Sequence, residues 1–237
     1  MREALKELGL LEDRLPGWRL WREVDANHGC AFFQFVGYDK MKIPTVSLPQ
    51  ESQVDPLLGT PGWTKAEEVK FIRWLARQTA GNILEIGCND GQTTLELGSA
   101  LPNATVYACD YTGPGTMCPE QKAELPSPAT LCQRARHLPN VNVLDCPSAA
   151  LDYKKLGDIS LVFIDGDHSY QGVKADTEKA LDHFVTTKAK GKRFIVWHDA
   201  YEDAPSWVGV LSYLNREIVP FFDVPRVAGT WLAYLEI

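Results

Sequence analysis

Two groups of residues in this chain could do chemistry. The first is Glu85-Ile86-Gly87-Cys88-Asn89-Asp90-Gly91, followed nineteen residues past Gly91 by Asp110. The second is Asp165-Gly166-Asp167-His168 together with His198-Asp199. Each begins where a short apolar run breaks into acids or histidines: Ile83-Leu84, Val106-Tyr107-Ala108-Cys109, Phe163-Ile164 and Ile195-Val196-Trp197. Packing alone does not call for such breaks, because burying unpaired charge is costly. Glycines at a strand-to-helix turn let a ligand approach the backbone. A carboxylate ending the next strand can bind both hydroxyls of a ribose. The combination marks a nucleoside-type cofactor lying across adjacent parallel strands; the plainer alternative is a tight turn in an ordinary α/β domain.

The glycine spacing narrows the cofactor. A dinucleotide site needs G-x-G-x-x-G facing a pyrophosphate, and a P-loop needs G-x-x-x-x-G-K-[ST]. This chain has G-x-x-x-G, with Glu85 two residues before the first glycine. An anion there repels a pyrophosphate but suits a ligand bearing an ammonium and a sulfonium. S-adenosylmethionine is such a ligand.

The second group suggests two routes of methyl transfer. In one, His168 or His198 takes the proton from a substrate hydroxyl as general base. In the other, Asp165 and Asp199, with His198, hold a divalent cation that binds and orients the hydroxyl. A mixed O/N ligand set suits magnesium less than an all-oxygen one and admits manganese or zinc. Asp167 also reads as a helix N-cap, and His198 as an ordinary hydrogen-bonded histidine.

These residues need a scaffold. The spacing predicts strands at Ile83–Ile86, Thr105–Cys109, Val141–Leu144, Ser160–Ile164 and Phe194–Trp197, with helices starting near Gln92 and Ser169. Alternating strands and helices imply a parallel sheet covered on both faces. Thr64-Lys65-Ala66-Glu67 reads as a capping box opening a helix through Thr79. Ile218–Phe222 and Thr230–Glu236 read as a closing strand pair with one antiparallel member. Prolines between Tyr111 and Asn140 argue against a regular helix there. Residues 1–60 fall outside the pattern and form an extension, with a short helix near Glu3 to Leu11, an aromatic stretch at 31–36 and a linker from Pro44 to Gly62. Residues 61–237 form the cofactor-binding domain.

Composition excludes several classes. The 237 residues carry a net charge of −7, which lacks the electrostatic footprint of a nucleic-acid binder. No apolar run is long enough to span a bilayer, and Met1 to Asp13 lacks the core of a signal peptide. The six cysteines show no zinc spacing, so reduced and mostly buried thiols in a cytoplasmic protein are expected. Trp18, Trp21, Trp63 and Trp207 read mainly as packing residues, with Tyr201 and Trp207 the better candidates for an acceptor pocket.

The segment from Asn82 to Ile237 resembles the class I S-adenosylmethionine-dependent methyltransferases in order and spacing. The runs F-I-D-G-D-H-S-Y-Q-G-V-K-A-D at Phe163 to Asp176 and W-H-D-A at Trp197 to Ala200 are similar to the macrocin O-methyltransferase and cephalosporin hydroxylase-like group. The resemblance implies a Rossmann-like, doubly wound α/β fold with seven strands, one of them antiparallel. It implies that Glu85, Gly87, Cys88, Asn89 and Gly91 line the methionine end and that Asp110, with Tyr111, holds the ribose. The position beside the adenine corresponds to Cys146, and Asp165 also borders the cofactor. In metal-dependent relatives the ligands match Asp165, His198 and Asp199, with magnesium or manganese as the ion; a histidine at the middle position departs from that pattern. Residues 1–60 would then form a substrate lid or a homo-oligomer contact.

Three functions follow. The first is O-methylation of a small-molecule acceptor, with neither nucleic acid nor membrane as partner. The second is a cofactor-binding regulatory or assembly module without turnover. The third, a nucleic-acid methyltransferase, is disfavoured by the charge and by the absence of an N/D-P-P-Y-type stretch.

Overall fold

A computed structural model describes residues 43–60, 62–113, 126–187 and 191–237. The expected helix near Glu3, the aromatic stretch at 31–36, Trp18 and Trp21 lie outside these residues. The strands are β1 (Thr45–Val46), β2 (Asn82–Ile86), β3 (Val106–Asp110), β4 (Val141–Asp145), β5 (Ile159–Ile164), β6 (Phe194–Trp197), β7 (Arg226–Val227) and β8 (Ala233–Glu236). The α-helices are α1 (Ala66–Ala76), α2 (Gln92–Ala100), α3 (Tyr170–Thr187) and the single turn α4 (Val210–Tyr213).

The strands form one sheet in the order β1-β7-β8-β6-β5-β2-β3-β4. All neighbours are parallel except β8, which runs antiparallel between β6 and β7. The mostly parallel, Rossmann-like sheet is thus as the sequence implies, with β1 as an added two-residue edge strand beside β7. Alternate residues of each central strand face opposite layers. Leu161 and Phe163 of β5 meet Phe71, Ile72 and Leu97 from the α1 and α2 side. Val162 and Ile164 meet Val173, Leu181 and Phe184 of α3 on the other side. Burial on both faces is why these strands read as unbroken apolar runs.

Three expectations need correction. The N-cap of α1 is Lys65 rather than Thr64, and Glu68 rather than Glu67 reaches back, accepting from the Lys65 amide at 2.8 Å. Ile218–Phe222 is not a strand. Leu214–Ile218 forms a π-turn continuing α4, and the amides of Val219 and Phe222 bond to the carbonyls of Leu214 and Ile218. Helical bonding uses up the groups a ladder would need, and the strand begins only past Pro225. Cys146 is half-buried, whereas Cys88, Cys109 and Cys132 are buried thiols.

A segment before α1 is fastened to the helices by charge. Arg73 of α1 and Glu96 of α2 form a buried ion pair at 2.8 Å. Arg73 also donates to the carbonyls of Asp55 and Pro56, and Glu96 accepts from the amides of Leu58 and Gly59. A buried pair with its remaining hydrogen bonds satisfied escapes most of the desolvation penalty. It brings Gly62, Trp63 and Thr64 to the edge of the functional cleft.

Asp176 on α3 is a buried acid of another kind. It is 1% exposed, and its Oδ2 has no hydrogen-bond partner. Burial pushes its carboxyl up to about 6. The folded state therefore binds a proton there that the unfolded chain has released. The associated stability is full below about pH 3.8 and is lost as the pH rises through about 6. That gap is worth about 3 kcal/mol at neutral pH. Thermal melts are expected to show Asp176→Asn more stable than wild type at pH 7, with the difference shrinking towards pH 4. A difference independent of pH would contradict this.

Candidate active site

The chemistry-bearing residues converge beyond the carboxyl ends of β2, β3, β5 and β6, where ligands sit in open parallel sheets. A cleft of about 380 Å³ opens there. It is bordered by Glu85, Gly87, Cys88, Asn89, Asp110, Asp165, His168, His198 and Asp199 among the residues expected from sequence. Gly91 caps α2 just behind it with φ +87°. Tyr111 and Cys146 do not border the cleft. The Cys146 amide bonds the Asp110 carbonyl at 2.9 Å, and its own carbonyl faces the Cys109 thiol.

The glycines serve the loop's packing against its own protein. A Cβ on Gly87 would lie 2.0 Å from the Asp165 carbonyl oxygen, and one on Gly91 would lie 2.9 Å from Cys132 Sγ. Cys132 in turn donates its amide to the Asn89 carbonyl at 2.7 Å, and Arg134 pairs with Asp90 at 2.7 Å. The turn region after Pro126 thereby holds the loop from behind. Asp110 Oδ2 accepts the Asn89 amide and Oδ1 accepts the Tyr111 amide, both at 2.7 Å. Burial raises the Asp110 carboxyl against those two bonds.

Glu85 is 2% exposed and accepts the Thr94 hydroxyl at 2.5 Å. Burial first, with the Cys132, Asp165 and Asp110 charges adding to it, pushes its carboxyl well up. No lysine or arginine borders the cleft among the described residues. A positively charged ligand would supply the charge that Glu85 lacks, whereas a pyrophosphate would meet five acids: Glu85, Asp90, Asp110, Asp165 and Asp199. The cleft fits a sulfonium cofactor on this ground.

The second group forms a compact network. Asp165 Oδ1 lies 3.3 Å from His168 Nε2 and 3.2 Å from His198 Nδ1. Asp199 Oδ2 lies 3.2 Å from His168 Nδ1 and 3.4 Å from His198 Nδ1. Asp199 adopts φ +56°, which turns its carboxylate towards both rings. Burial opposes charge on His168, but the bond to Asp165 and the Asp165 and Asp199 charges outweigh it and push the ring up to about 9. The same opposition, won by Asp165, raises His198 well above its ordinary value. Asp165 is correspondingly held low, its burial outweighed by His198 and His168.

His198 Nδ1 is buried yet makes no well-directed hydrogen bond, although both carboxylates lie close. Asp165, His198 and Asp199 each offer a ligand atom within 4.8 Å of the others. The donor set fits a divalent cation on that geometry. Asp167 accepts the Ser169 amide at 2.9 Å but is not the N-cap of α3: Ser169 is, its hydroxyl accepting the Gly172 amide at 3.1 Å.

Sequence reasoning read Trp63 mainly as a packing residue and did not place Trp231 at the site. Trp63 is 74% exposed at the cleft edge. Trp207 stacks on His168 with the rings 15° apart, and Tyr201 stacks on Trp231 with centroids 4.7 Å apart. Glu68 was also missed; its Oε2 lies 3.2 Å from His198 Nε2.

The fold is a Rossmann-like sheet with a cleft beyond the carboxyl ends of its central strands. Residues 84–200 match the family model described as a methyltransferase domain. Residues 84–200 thus carry a methyltransferase domain, which supports an S-adenosylmethionine-dependent methyltransferase. No curated protein matches it. Several solved structures are similar to it. CalS11, a TDP-rhamnose 3'-O-methyltransferase of calicheamicin biosynthesis, is 17% identical over 70% of this chain and 76% of its own, with a TM-score of 0.48. The Podospora anserina methyltransferase PaMTH1, bound to SAH, is 17% identical over 73% and 78%, also at 0.48. The cofactor-bound Rv0187 from MTB is 21% identical over 78% and 84%, again at 0.48. No helix among the described residues is long and apolar enough to cross a membrane.

Proposed function

We propose that this enzyme O-methylates a hydroxyl on a small molecule. The observation that carries this reading is the pair of histidines, His198 buried and His168 half-buried, sharing Asp165 and Asp199 beside the 87–91 loop. When bound, S-adenosylmethionine supplies the methyl group as an electrophile. Glu85 and the 87–91 loop hold its charged end, and Asp110 holds its ribose. Trp63, Trp207, Tyr201 and Trp231 shape the acceptor side and exclude water. His168 and His198 border that side. At neutral pH both rings carry protons, so either acts as a base only after losing one. Alternatively, Asp165, His198 through Nδ1 and Asp199 hold a magnesium or manganese ion, which would favour the acceptor's alkoxide.

The test is S-adenosylhomocysteine release with sugars, catechols and hydroxylated metabolites, with and without chelator. Cofactor binding without turnover on any acceptor would support the regulatory or assembly reading instead, which Cys146's position away from the cleft favours. Asp110→Ala is expected to weaken S-adenosylmethionine binding roughly 10- to 100-fold by calorimetry, the worth of a hydrogen bond to a charged group. An unchanged affinity would remove the ribose assignment.

A further inference from the structure

His198 is reached from outside the 84–200 family span. Its ring stands edge-on to Phe163 at 6.3 Å and to Trp231 at 5.9 Å. These contacts hold the ring plane but do not distinguish its two nitrogens. Glu68 does. It belongs to α1, is fully buried, and is aimed at Nε2.

The Glu68 carboxylate is itself locked. Oε1 accepts the Trp231 amide at 2.6 Å, and Oε2 accepts the Lys65 amide at 2.8 Å. Its place in the first turn of α1 lets the helix N-terminus stabilise its charge. Lys65 Nζ sits 4.0 Å above the Trp231 ring, tying the same two segments together. A carboxylate buried this completely and saturated by fixed donors is a rigid acceptor. It will keep a proton on whichever ring nitrogen faces it.

We propose that Glu68 is the positioning residue for His198: its carboxylate holds Nε2–H and so presents Nδ1 to Asp165, Asp199 and the cleft. The inference rests on the reading above only in taking the cleft as the reaction site. Glu68 does not border the cleft. It acts through the imidazole, as a carboxylate behind a metal-binding or proton-transferring histidine does. A helix cap alone would need only the Lys65 amide. The two further contacts, to His198 and to Trp231, are what a cap does not require.

The test is the protonation pattern of His198, read by two-bond proton–nitrogen correlation spectra of ¹⁵N-histidine-labelled protein and assigned with His198→Gln. In spectra recorded at a pH high enough for the His198 ring to have lost its second proton, wild type is expected to keep the remaining proton on Nε2. In Glu68→Gln, the ratio of Nε2-protonated to Nδ1-protonated ring is expected to fall roughly tenfold or more, the range a charge-assisted hydrogen bond supports. Glu68→Asp keeps the charge one methylene short and is expected to shift the ratio in the same direction by less. It decides the matter if Glu68→Gln does not fold. An unchanged His198 pattern in a folded variant overturns the proposal. S-adenosylmethionine affinity is expected to stay within about twofold of wild type in both variants, since Glu68 does not border the cleft. If wild type binds no S-adenosylmethionine, the methyltransferase reading fails while the His198 pattern still decides the role of Glu68.

Discussion

Gly87→Ala is expected to abolish S-adenosylmethionine binding and to lower the melting temperature by roughly 10 °C. Two costs combine. The residue sits at φ +90°, where an alanine costs about 1–3 kcal/mol. Its Cβ would also lie 2.0 Å from the Asp165 carbonyl oxygen and 2.4 Å from the carbonyl carbon. These are backbone atoms at the end of β5 and cannot rotate aside. The strand end must move, and it carries the acid that both site histidines share. Gly229→Ala separates the two costs. Gly229 has φ +76° but nothing within 4 Å of a would-be Cβ. It is expected to show the backbone cost alone, a drop of a few degrees, with cofactor affinity unchanged. Melts followed by circular dichroism and titration calorimetry check both. Equal behaviour of the two variants would mean that the contact with Asp165 does not govern the loop.

Asp165→Asn is expected to reduce methyl transfer about 10²- to 10⁴-fold, the usual worth of a positioned acid–base group. Its Oδ1 serves His168 Nε2 and His198 Nδ1 together. Neutralising it lowers both rings' hold on their protons and turns neither towards the acceptor. It also removes one of the three atoms that could hold a cation. Cofactor affinity is expected to fall less than turnover, because Gly87, Asn89 and Asp110 keep their places. Single-turnover measurements with an acceptor from the panel separate the two quantities. Turnover within a factor of two of wild type would take Asp165 out of the chemistry.

The strand ends were legible for a physical reason. A strand covered on both faces must be apolar throughout, so an acid or histidine after it marks the point where the chain leaves the core. That rule located Glu85, Asp110, Asp165 and His198, and the structure brings all four to one cleft. It is silent on residues that arrive from elsewhere. Glu68 looks like one more surface acid in Lys65-Ala66-Glu67-Glu68, and its bond to His198 spans 130 positions. The meaning of Gly87 was also hidden. The sequence suggests room for a ligand, whereas the closest neighbour is the protein's own backbone. Ile218–Phe222 misled because a short apolar run broken by Pro220 carries no period; the helical bonds to Leu214 and Ile218 decided it.

The placement of Trp231 bears on how the molecule is made. A ribosome releases the chain from the amino end, and β2 through β4 can pair as soon as they emerge. Glu68 must wait. Its second oxygen receives the amide of residue 231, and β8 slots between β6 and β7 only after both exist. A nascent chain therefore carries a cofactor crevice before it carries a finished histidine, and competence arrives with the final strand.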